Sequence, residues 1–292
     1  MILVPKKASL PSVEVKKLLN QSGLRAKKGL GQHFLVDDTV LETIASAAEL
    51  CPEDTVIEVG PGLGVLTVEL ARRVGRVVAV ELDAKLAALL KKRLSSLTNV
   101  DLVHADILKV NLPELVKERS GYKVVANIPY YITSPILRYF FEASPRPSLM
   151  VVMVQKEVGE AIVAGPGDMS ILAVSLQIYS KPRIIAYVPS QSFYPSPKVD
   201  SVIVRFDMLP EPAIKVENTD DFLGVVRSGF SSPRKQLRNS LAHGLGARPA
   251  EVVPMLEKAK VEPQRRPETL SLEEWQRIYK VVIDFKKAKM LC

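Results

Sequence analysis

The fold is best predicted from the ten residues Thr55-Val56-Ile57-Glu58-Val59-Gly60-Pro61-Gly62-Leu63-Gly64. Its first five residues are mostly β-branched and predict a buried strand. Three glycines follow before a helical pattern begins, and they let the backbone turn tightly and approach a ligand at the helix N-terminus. Their Gly-x-Gly-x-Gly spacing differs from the Gly-x-Gly-x-x-Gly of dinucleotide-binding proteins. A strand–turn–helix unit that holds a ligand is therefore predicted, although a tight turn without a ligand has the same pattern.

On both sides of this unit, strands and helices alternate. Strands are predicted at Thr55–Val59, 76–80, 100–103, 122–126, 149–154, 183–188 and 199–206, with helices at 63–74, 84–97 and 133–142 among them. This alternation predicts a mostly parallel sheet covered on both faces. The connection 189–197 is too short for a helical crossover, so the last two strands should form an antiparallel hairpin. The predicted fold class is α/β, with a Rossmann-like sheet whose last strand is antiparallel.

Composition divides the chain into three segments. Residues 1–30 form a basic arm, residues 31–208 the α/β domain, and Leu209-Pro210-Glu211-Pro212 marks the start of a helical domain over 209–292. Helices are predicted there at 220–230, 233–242, Pro249–Lys258 and 272–283. The helical domain carries the second of two basic clusters described below, and we expect it to bind RNA.

Charge and composition bound the function. The net charge is +8 and the sequence pI about 9.3, which fits a polyanionic partner. Seven basic residues crowd the first 28 positions, and a second cluster in the helical domain consists of Arg227, Arg234, Lys235 and Arg238. Of these basic residues, the ones expected to bind RNA are Lys27, Lys28, Arg234, Lys235 and Arg238. No apolar run approaches the roughly 20 residues of a membrane span, and no signal peptide is recognisable. Two cysteines without metal-like spacing predict a cytoplasmic protein that holds no metal.

Acidic side chains stand at successive strand ends. Glu58 beside the glycines would repel a pyrophosphate but not a ligand with an ammonium or sulfonium charge. Glu81 ends the second strand, where a carboxylate can accept both hydroxyls of a ribose. Asp106 follows the third strand and can accept from an adenine amino group. Taken singly, Glu81 could instead pair with Lys85 and Asp106 could cap a helix. Together they favour a nucleoside without a phosphate site, and S-adenosylmethionine fits.

The tetrapeptide Asn127-Ile128-Pro129-Tyr130 follows the fourth strand. The Asn127 amide and the carbonyl of Ile128 or Pro129 can accept the protons of an amine, and Tyr130 can stack on a flat base. Such a site suits an adenine exocyclic amine as methyl acceptor. Phe193, in the loop between the last two strands, is predicted to cover the other face of the base. The alternative for Phe193 is a side chain that fills the core.

These strings resemble, almost end to end, the bacterial-type small-subunit ribosomal RNA adenine dimethyltransferases. The matching strings are Gly31-Gln32-His33-Phe34-Leu35, 58–64, Glu81-Leu82-Asp83, 127–130, Gln155-Lys156-Glu157 and 193–201, with Phe230-Ser231, Arg234-Lys235 and 237–241 in the helical part. The resemblance implies an S-adenosylmethionine-dependent fold that dimethylates two adjacent adenosines in a hairpin near the 3′ end of small-subunit RNA. It also implies that His33, Leu35, Gly60, Glu81, Asp106 and Asn127 bind the methyl donor. We add Gln32 and Gly62 to that set because they lie in the same matching strings.

Two other functions fit the same pattern. One is the related large-subunit adenine methyltransferase of the macrolide-resistance type, and the other is a ribosome-assembly or transcription factor that has lost the chemistry. The intact tetrapeptide and Glu81 argue against the second. We expect the partner to be small-subunit ribosomal RNA or an assembling small subunit, and nothing in the sequence demands a dimer, so we expect a monomer.

Overall fold

In the computed structural model of the protein, residues 12–27, 29, 31–117 and 121–290 are described. The strands are β1 (Phe34–Leu35), β2 (Thr55–Val59), β3 (Arg76–Glu81), β4 (Val100–His104), β5 (Lys123–Asn127), β6 (Leu149–Gln155), β7 (Ser180–Val188), β8 (Phe193–Tyr194) and β9 (Ser201–Met208). The helices are α1 (Ser12–Gln21), α2 (Asp38–Ala47), α3 (Val65–Ala71), α4 (Ala84–Arg93), α5 (Leu112–Val116), α6 (Thr133–Glu142), α7 (Lys156–Val163), α8 (Ile171–Gln177), α9 (Thr219–Gly229), α10 (Leu237–Leu245), α11 (Pro249–Lys258) and α12 (Leu272–Met290).

The main sheet has seven strands in the order β4-β3-β2-β5-β6-β9-β7. The pairs β2–β3, β3–β4, β2–β5 and β5–β6 are parallel, whereas β9 runs antiparallel to β6. This arrangement confirms the predicted α/β fold class with its antiparallel late strand. Between β2 and β5 the direction of strand progression reverses, and in open parallel sheets the ligand crevice lies beyond the carboxyl ends of the strands at such a point.

The central strands are buried on both faces. Val124, Val125 and Ala126 in β5, and every residue from Met150 to Val154 in β6, have no exposed surface. Continuous apolar runs of this kind are typical of parallel strands covered by helices on both sides. They explain why the strands were predictable from short apolar runs rather than from alternation.

A second, two-stranded sheet was not predicted. In it β1 pairs with β8 in antiparallel register, with Phe34 opposite Tyr194 and Leu35 opposite Phe193. Strands of two residues carry no hydrophobic period, so sequence pattern does not reveal them. The pairing matters for the site because it joins the Gly31–Leu35 string to the loop that contains Phe193.

The described residues group into two compact units. The first comprises residues up to Gly159 together with Pro182–Met208, and it contains most of the main sheet. The second comprises Glu160–Lys181 together with the residues from Leu209 onward. The helical segment 160–181 therefore groups with the C-terminal helices, and the boundary at residue 209 stays a prediction for the RNA-binding domain.

The second unit packs around one tryptophan. Trp275 is fully buried and stacks on Phe230, with ring centroids 5.6 Å apart. Three of the four predicted C-terminal helices occur close to their predicted positions, but α10 begins at Leu237 instead of residue 233. The reason is local hydrogen bonding: the Ser240 hydroxyl donates to the Ser232 carbonyl, and the Lys235 amide donates to the same carbonyl, which holds a turn there. No helix within the described residues is long and apolar enough to span a membrane.

Candidate active site

A cleft opens at the edge of the sheet where β2, β3, β4 and β5 end. Its empty space is about 1040 Å³, open solvent at the mouth included. It is lined by the string Gly31–Leu35, by residues 58–63 after β2, by Glu81 and Leu82 after β3, by Asp106 after β4, and by the tetrapeptide 127–130 with Tyr131 and Ile132. The carboxyl ends of parallel strands meet at one edge, so residues far apart in sequence become neighbours there.

The glycine turn and Glu81 are joined directly. The Gly62 amide donates to Glu81 Oε2 at 3.2 Å, and the Asp83 amide donates to Oε1 at 2.9 Å. Gly62 has a φ of +59°, and a Cβ built there would lie 3.2 Å from the Phe34 ring. No ion pair joins Glu81 and Lys85, both of which lie in the described part of the chain. The carboxylate is instead held by backbone amides at the cleft wall.

Glu58 and Glu81 form a buried acidic pair at the base of the cleft. Glu58 is only 2% exposed, and its Oε2 has no hydrogen-bond partner among the described residues. Burial, with the nearby Glu81 charge in addition, raises the pKa of Glu58 to about 8. Burial also raises the pKa of Glu81, and the backbone amides of Asp83 and Gly62 oppose that shift. A buried carboxyl oxygen without a partner beside a cleft calls for a cationic or hydrogen-bonding ligand group.

Asp106 combines the two roles that the sequence left open. Its Oδ1 accepts from the Leu108 amide at 3.1 Å and so caps the 3₁₀ turn Ile107–Lys109. The residue also lines the cleft. A carboxylate has further lone pairs after accepting one bond, so capping does not prevent it from accepting from a ligand.

Asn127 ends β5 with its amide oriented by a backbone carbonyl. Its Nδ2 donates to the His33 carbonyl at 3.3 Å, which leaves Oδ1 as the acceptor side of the amide. The Ile128 amide donates to the Met153 carbonyl, and the Pro129 carbonyl accepts from the Ile132 amide at 3.1 Å. Of the two carbonyls predicted to face an amine, that of Pro129 therefore already accepts one hydrogen bond and keeps one further lone pair.

Tyr130 is held on two sides. Its ring stacks on the imidazole of His33, with centroids 5.9 Å apart and planes inclined by 21°. Its hydroxyl meets the Ser201 hydroxyl at 2.6 Å. His33 is itself fixed, because its Nδ1–H donates to the Pro195 carbonyl at 2.6 Å.

Phe193 is the predicted aromatic that the structure does not bring to the cleft. The side chain is 2% exposed and belongs to the hydrophobic core of the first unit, together with Phe34 and Leu35. The pairing of β1 with β8 draws it inward. Phe193 does not line the cleft, and its role as the second face for a base stays a prediction.

The other predicted residues divide between the cleft and the basic arm. Gln32 lines the cleft, and its Oε1 accepts from the Lys27 amide while its Nε2 contacts Asp83. Lys27 forms an ion pair with Asp83 at 2.6 Å, so in this arrangement its ammonium group neutralises an acid of the first unit. Lys28 lies outside the described residues, as do residues 1–11 of the predicted basic arm.

In the second unit, Arg234 and Lys235 are exposed in the segment before α10, and Arg238 is half-buried in that helix.

Two cleft residues, Leu82 and Tyr131, did not enter the predicted set. They are 46% and 50% exposed, unusual for large apolar side chains. The available signals were an apolar residue directly after the strand-end acid and a second tyrosine after the tetrapeptide. Within the described ranges, no group of three or more His, Cys, Asp or Glu side chains is placed to hold a metal ion.

The strand order, the glycine turn after β2 and the acid at the end of β3 define a Rossmann-like S-adenosylmethionine-dependent methyltransferase. Residues 23–284 match the family model described as ribosomal RNA adenine dimethylase. The chain belongs to the ribosomal RNA adenine dimethylase family, as the sequence resemblance indicated.

Individual relatives agree with this membership. The chain is 50% identical over 264 residues to the ribosomal RNA small subunit methyltransferase A of Dehalococcoides mccartyi, covering 90% of each chain. Among solved structures, a dimethyladenosine transferase from Plasmodium falciparum superposes with a TM-score of 0.74 at 26% identity, covering 87% of this chain and 98% of that one. The 23S ribosomal RNA methyltransferase ErmE superposes with a TM-score of 0.68 at 30% identity, covering 86% and 99%.

Proposed function

We propose that this protein dimethylates the exocyclic amines of two adjacent adenosines in the 3′-terminal hairpin of small-subunit ribosomal RNA during small-subunit biogenesis, with S-adenosylmethionine as methyl donor. The observation that carries the proposal is the meeting of two sets of residues in one cleft. The glycine turn with Glu81 and Asp106 suits a nucleoside-type donor, and the tetrapeptide 127–130 beside it suits an amine on a flat base.

The residues present fit the donor. When bound, S-adenosylmethionine supplies an electrophilic methyl carbon on a sulfonium centre. Glu81 would accept from the ribose hydroxyls, and Asp106 from the adenine amino group. Glu58, whose Oε2 is buried without a partner, would complement the positive charge of the ligand. Gln32, His33, Leu35, Gly60 and Gly62 would complete the walls.

Asn127 would orient the acceptor amine. Because its Nδ2 is bonded to the His33 carbonyl, Oδ1 is left to accept one amine proton. We assign the second proton to the Ile128 carbonyl, since one of the two lone pairs of the Pro129 carbonyl already accepts from Ile132. Two acceptors on one amine favour a pyramidal nitrogen whose lone pair is no longer delocalised into the ring. Positioning and preorganised dipoles then supply most of the catalysis. The methylated nitrogen would carry a positive charge and be acidic enough to lose its proton to water, so that no strong general base is needed.

Tyr130 would hold the base once it leaves the RNA stack. Base–aromatic stacking is worth about 1–3 kcal/mol, which is comparable with the few kcal/mol needed to unstack a nucleotide. The same pocket would act twice on each base, because a monomethylated amine still has one proton to donate. We further propose that Lys27, Lys28, Arg234, Lys235 and Arg238 contact RNA phosphates, and that the protein acts as a monomer in the cytoplasm.

The two alternative functions are less well supported. The large-subunit enzyme ErmE is 30% identical to this chain, whereas the small-subunit relative is 50% identical over 90% of both chains. A factor without catalytic activity would have no need to keep Asn127 aligned by His33 next to Glu81 and the glycine turn. The sequence identities favour the small subunit over the large one, and the alignment of Asn127 favours an active enzyme over an inactive factor.

The test is methyl transfer to small subunits purified from cells that lack this modification. We expect labelled methyl groups on the RNA of the small subunit, and we expect Asn127→Ala to lower the rate by about 10²–10³, as removal of a preorganised dipole does. Asn111→Ala is the matched control, because Asn111 contacts Glu114 at the start of α5 and lies outside the cleft. Label that appears only on large-subunit RNA would contradict the small-subunit assignment.

A further inference from the structure

Ser201 is a buried serine with no place in the cleft. It is the first residue of β9, it has no exposed surface, and it lies opposite Gln155 of β6. Its hydroxyl is 2.6 Å from that of Tyr130, 71 residues earlier in the chain. A hydroxyl so placed contacts neither solvent nor a ligand in the cleft, so any influence on the reaction must pass through Tyr130.

Tyr130 is a cleft residue whose stacking surface does not need a hydroxyl. The ring alone provides the face on which a base can stack. The hydroxyl lies at the far end of the ring, and burial raises the pKa of Tyr130, so the phenol stays neutral and able to hydrogen-bond. A hydrogen bond at that end restrains rotation about the Cα–Cβ bond and so fixes the direction of the long axis of the ring. The stacked imidazole of His33 restrains the plane of the ring.

The opposite restraint comes from His33. Its imidazole stacks on the Tyr130 ring, and the bond from His33 Nδ1–H to Pro195 holds the imidazole in place. The His33 carbonyl also accepts from Asn127. One residue therefore aligns both the aromatic ring and the amide of the tetrapeptide, and it covers part of one face of the ring.

We propose that Ser201 and His33 are positioning residues that clamp the Tyr130 ring, so that one face is presented to the target adenine at a set angle to the Asn127 amide. The inference rests on the proposed function, to which it adds the residue Ser201 and a second role for His33. A ring that is already held in place does not have to be ordered when the base binds. A misplacement of the amine by about 1 Å can lower the rate about a hundredfold.

The test compares Ser201→Ala and Tyr130→Phe, singly and combined, in single-turnover methyl transfer at saturating RNA. Each single variant should lose about tenfold in rate, and the double variant should lose no more than either, because both remove the same bond. Binding of S-adenosylmethionine to Ser201→Ala, measured by calorimetry, should change less than about twofold, since Ser201 does not line the cleft.

Ser180→Ala is the control for the loss of a buried hydroxyl, because the Ser180 hydroxyl donates to the Leu176 carbonyl outside the cleft. The proposed positioning role would be contradicted if Ser201→Ala had the same rate as this control, or if the losses multiplied in the double variant. In either case the activity of the wild-type protein would still support the proposed function. Wild-type protein that transfers no methyl to small subunits would overturn both.

Discussion

Glu58 is a carboxylic acid that the protein keeps protonated close to neutral pH. In the folded protein burial raises the pKa of its carboxyl from the ordinary 4.5 to about 8. Strongly shifted pKa values concentrate at functional sites. A carboxyl that burial keeps neutral can ionise when a cationic ligand binds beside it. Here a cationic ligand would favour the ionised form, so binding of the methyl donor should release a proton from the cleft.

The stability of the unliganded protein should depend on pH through Glu58. Between pH 4.5 and about 8 the unfolded chain has lost this proton while the folded protein retains it, so the free energy of unfolding falls as pH rises. Glu58→Gln removes this dependence. Relative to wild type, the variant should gain about 2 kcal/mol of stability between about pH 6 and pH 8, at up to about 1.4 kcal/mol per pH unit. Urea unfolding across this range measures the difference, and parallel curves for the two proteins would contradict the assignment.

Among the helices, α9 contains two glycines that differ in how closely other atoms approach them. Gly229 lies against the buried Trp275, and a Cβ built there would be 2.3 Å from Cη2 of the indole. Gly224, more than one turn earlier, has only the Arg227 guanidinium within 4.0 Å of such a Cβ. Neither glycine has a positive φ. Close packing against Trp275 therefore requires a glycine at position 229, whereas position 224 has room for a Cβ.

Alanine substitution should therefore change stability in opposite directions at these two positions. Gly229→Ala forces Trp275 to move and should cost about 1–3 kcal/mol. Gly224→Ala should gain up to about 1 kcal/mol through helix propensity. Trp275 is the single tryptophan of the sequence, so its fluorescence during urea unfolding reports on this unit directly. Equal effects of the two substitutions would show that the indole does not set the limit at Gly229.

At the scale of the whole molecule, the net charge of +8 should govern association with RNA. The exposed Arg234 and Lys235 precede α10, and the structure shows no acidic partner for either among the described residues. Neutralised phosphates release counterions, so affinity falls with salt in proportion to the number of phosphates that the protein neutralises.

Removal of both charges should reduce this salt dependence. Arg234→Ala/Lys235→Ala should lower the slope of log affinity against log salt by about 2, because each side chain would neutralise one phosphate. The control is Lys258→Ala/Lys280→Ala, which removes the same charge from exposed positions of the second unit that were not predicted to bind RNA. Filter binding to small-subunit RNA at several salt concentrations measures the slopes. A double variant and a control with the same slope would remove Arg234 and Lys235 from the interface.

Much of the fold and part of the site followed from local pattern. Apolar runs predicted the seven strands of the main sheet, because strands buried on both faces must be apolar throughout. Glu81, Asp106 and Asn127 were predictable as neighbours, since each ends or follows a parallel strand and such ends converge on one edge. The start of α10 was misplaced, because the serine hydrogen bonds that delay it join residues on either side of the turn.

Local sequence pattern was enough to predict the sheet, its ligand-binding edge and the residues at each strand end, because periodicity and strand polarity are local properties. Which side chains meet across that edge depends instead on packing between distant parts of the chain. The register of β9 against β6 and the pairing of β1 with β8 brought Ser201 and His33 to Tyr130 and drew Phe193 into the core. Registers of this kind are set by packing over the whole sheet, since a shift of one residue exchanges its two faces.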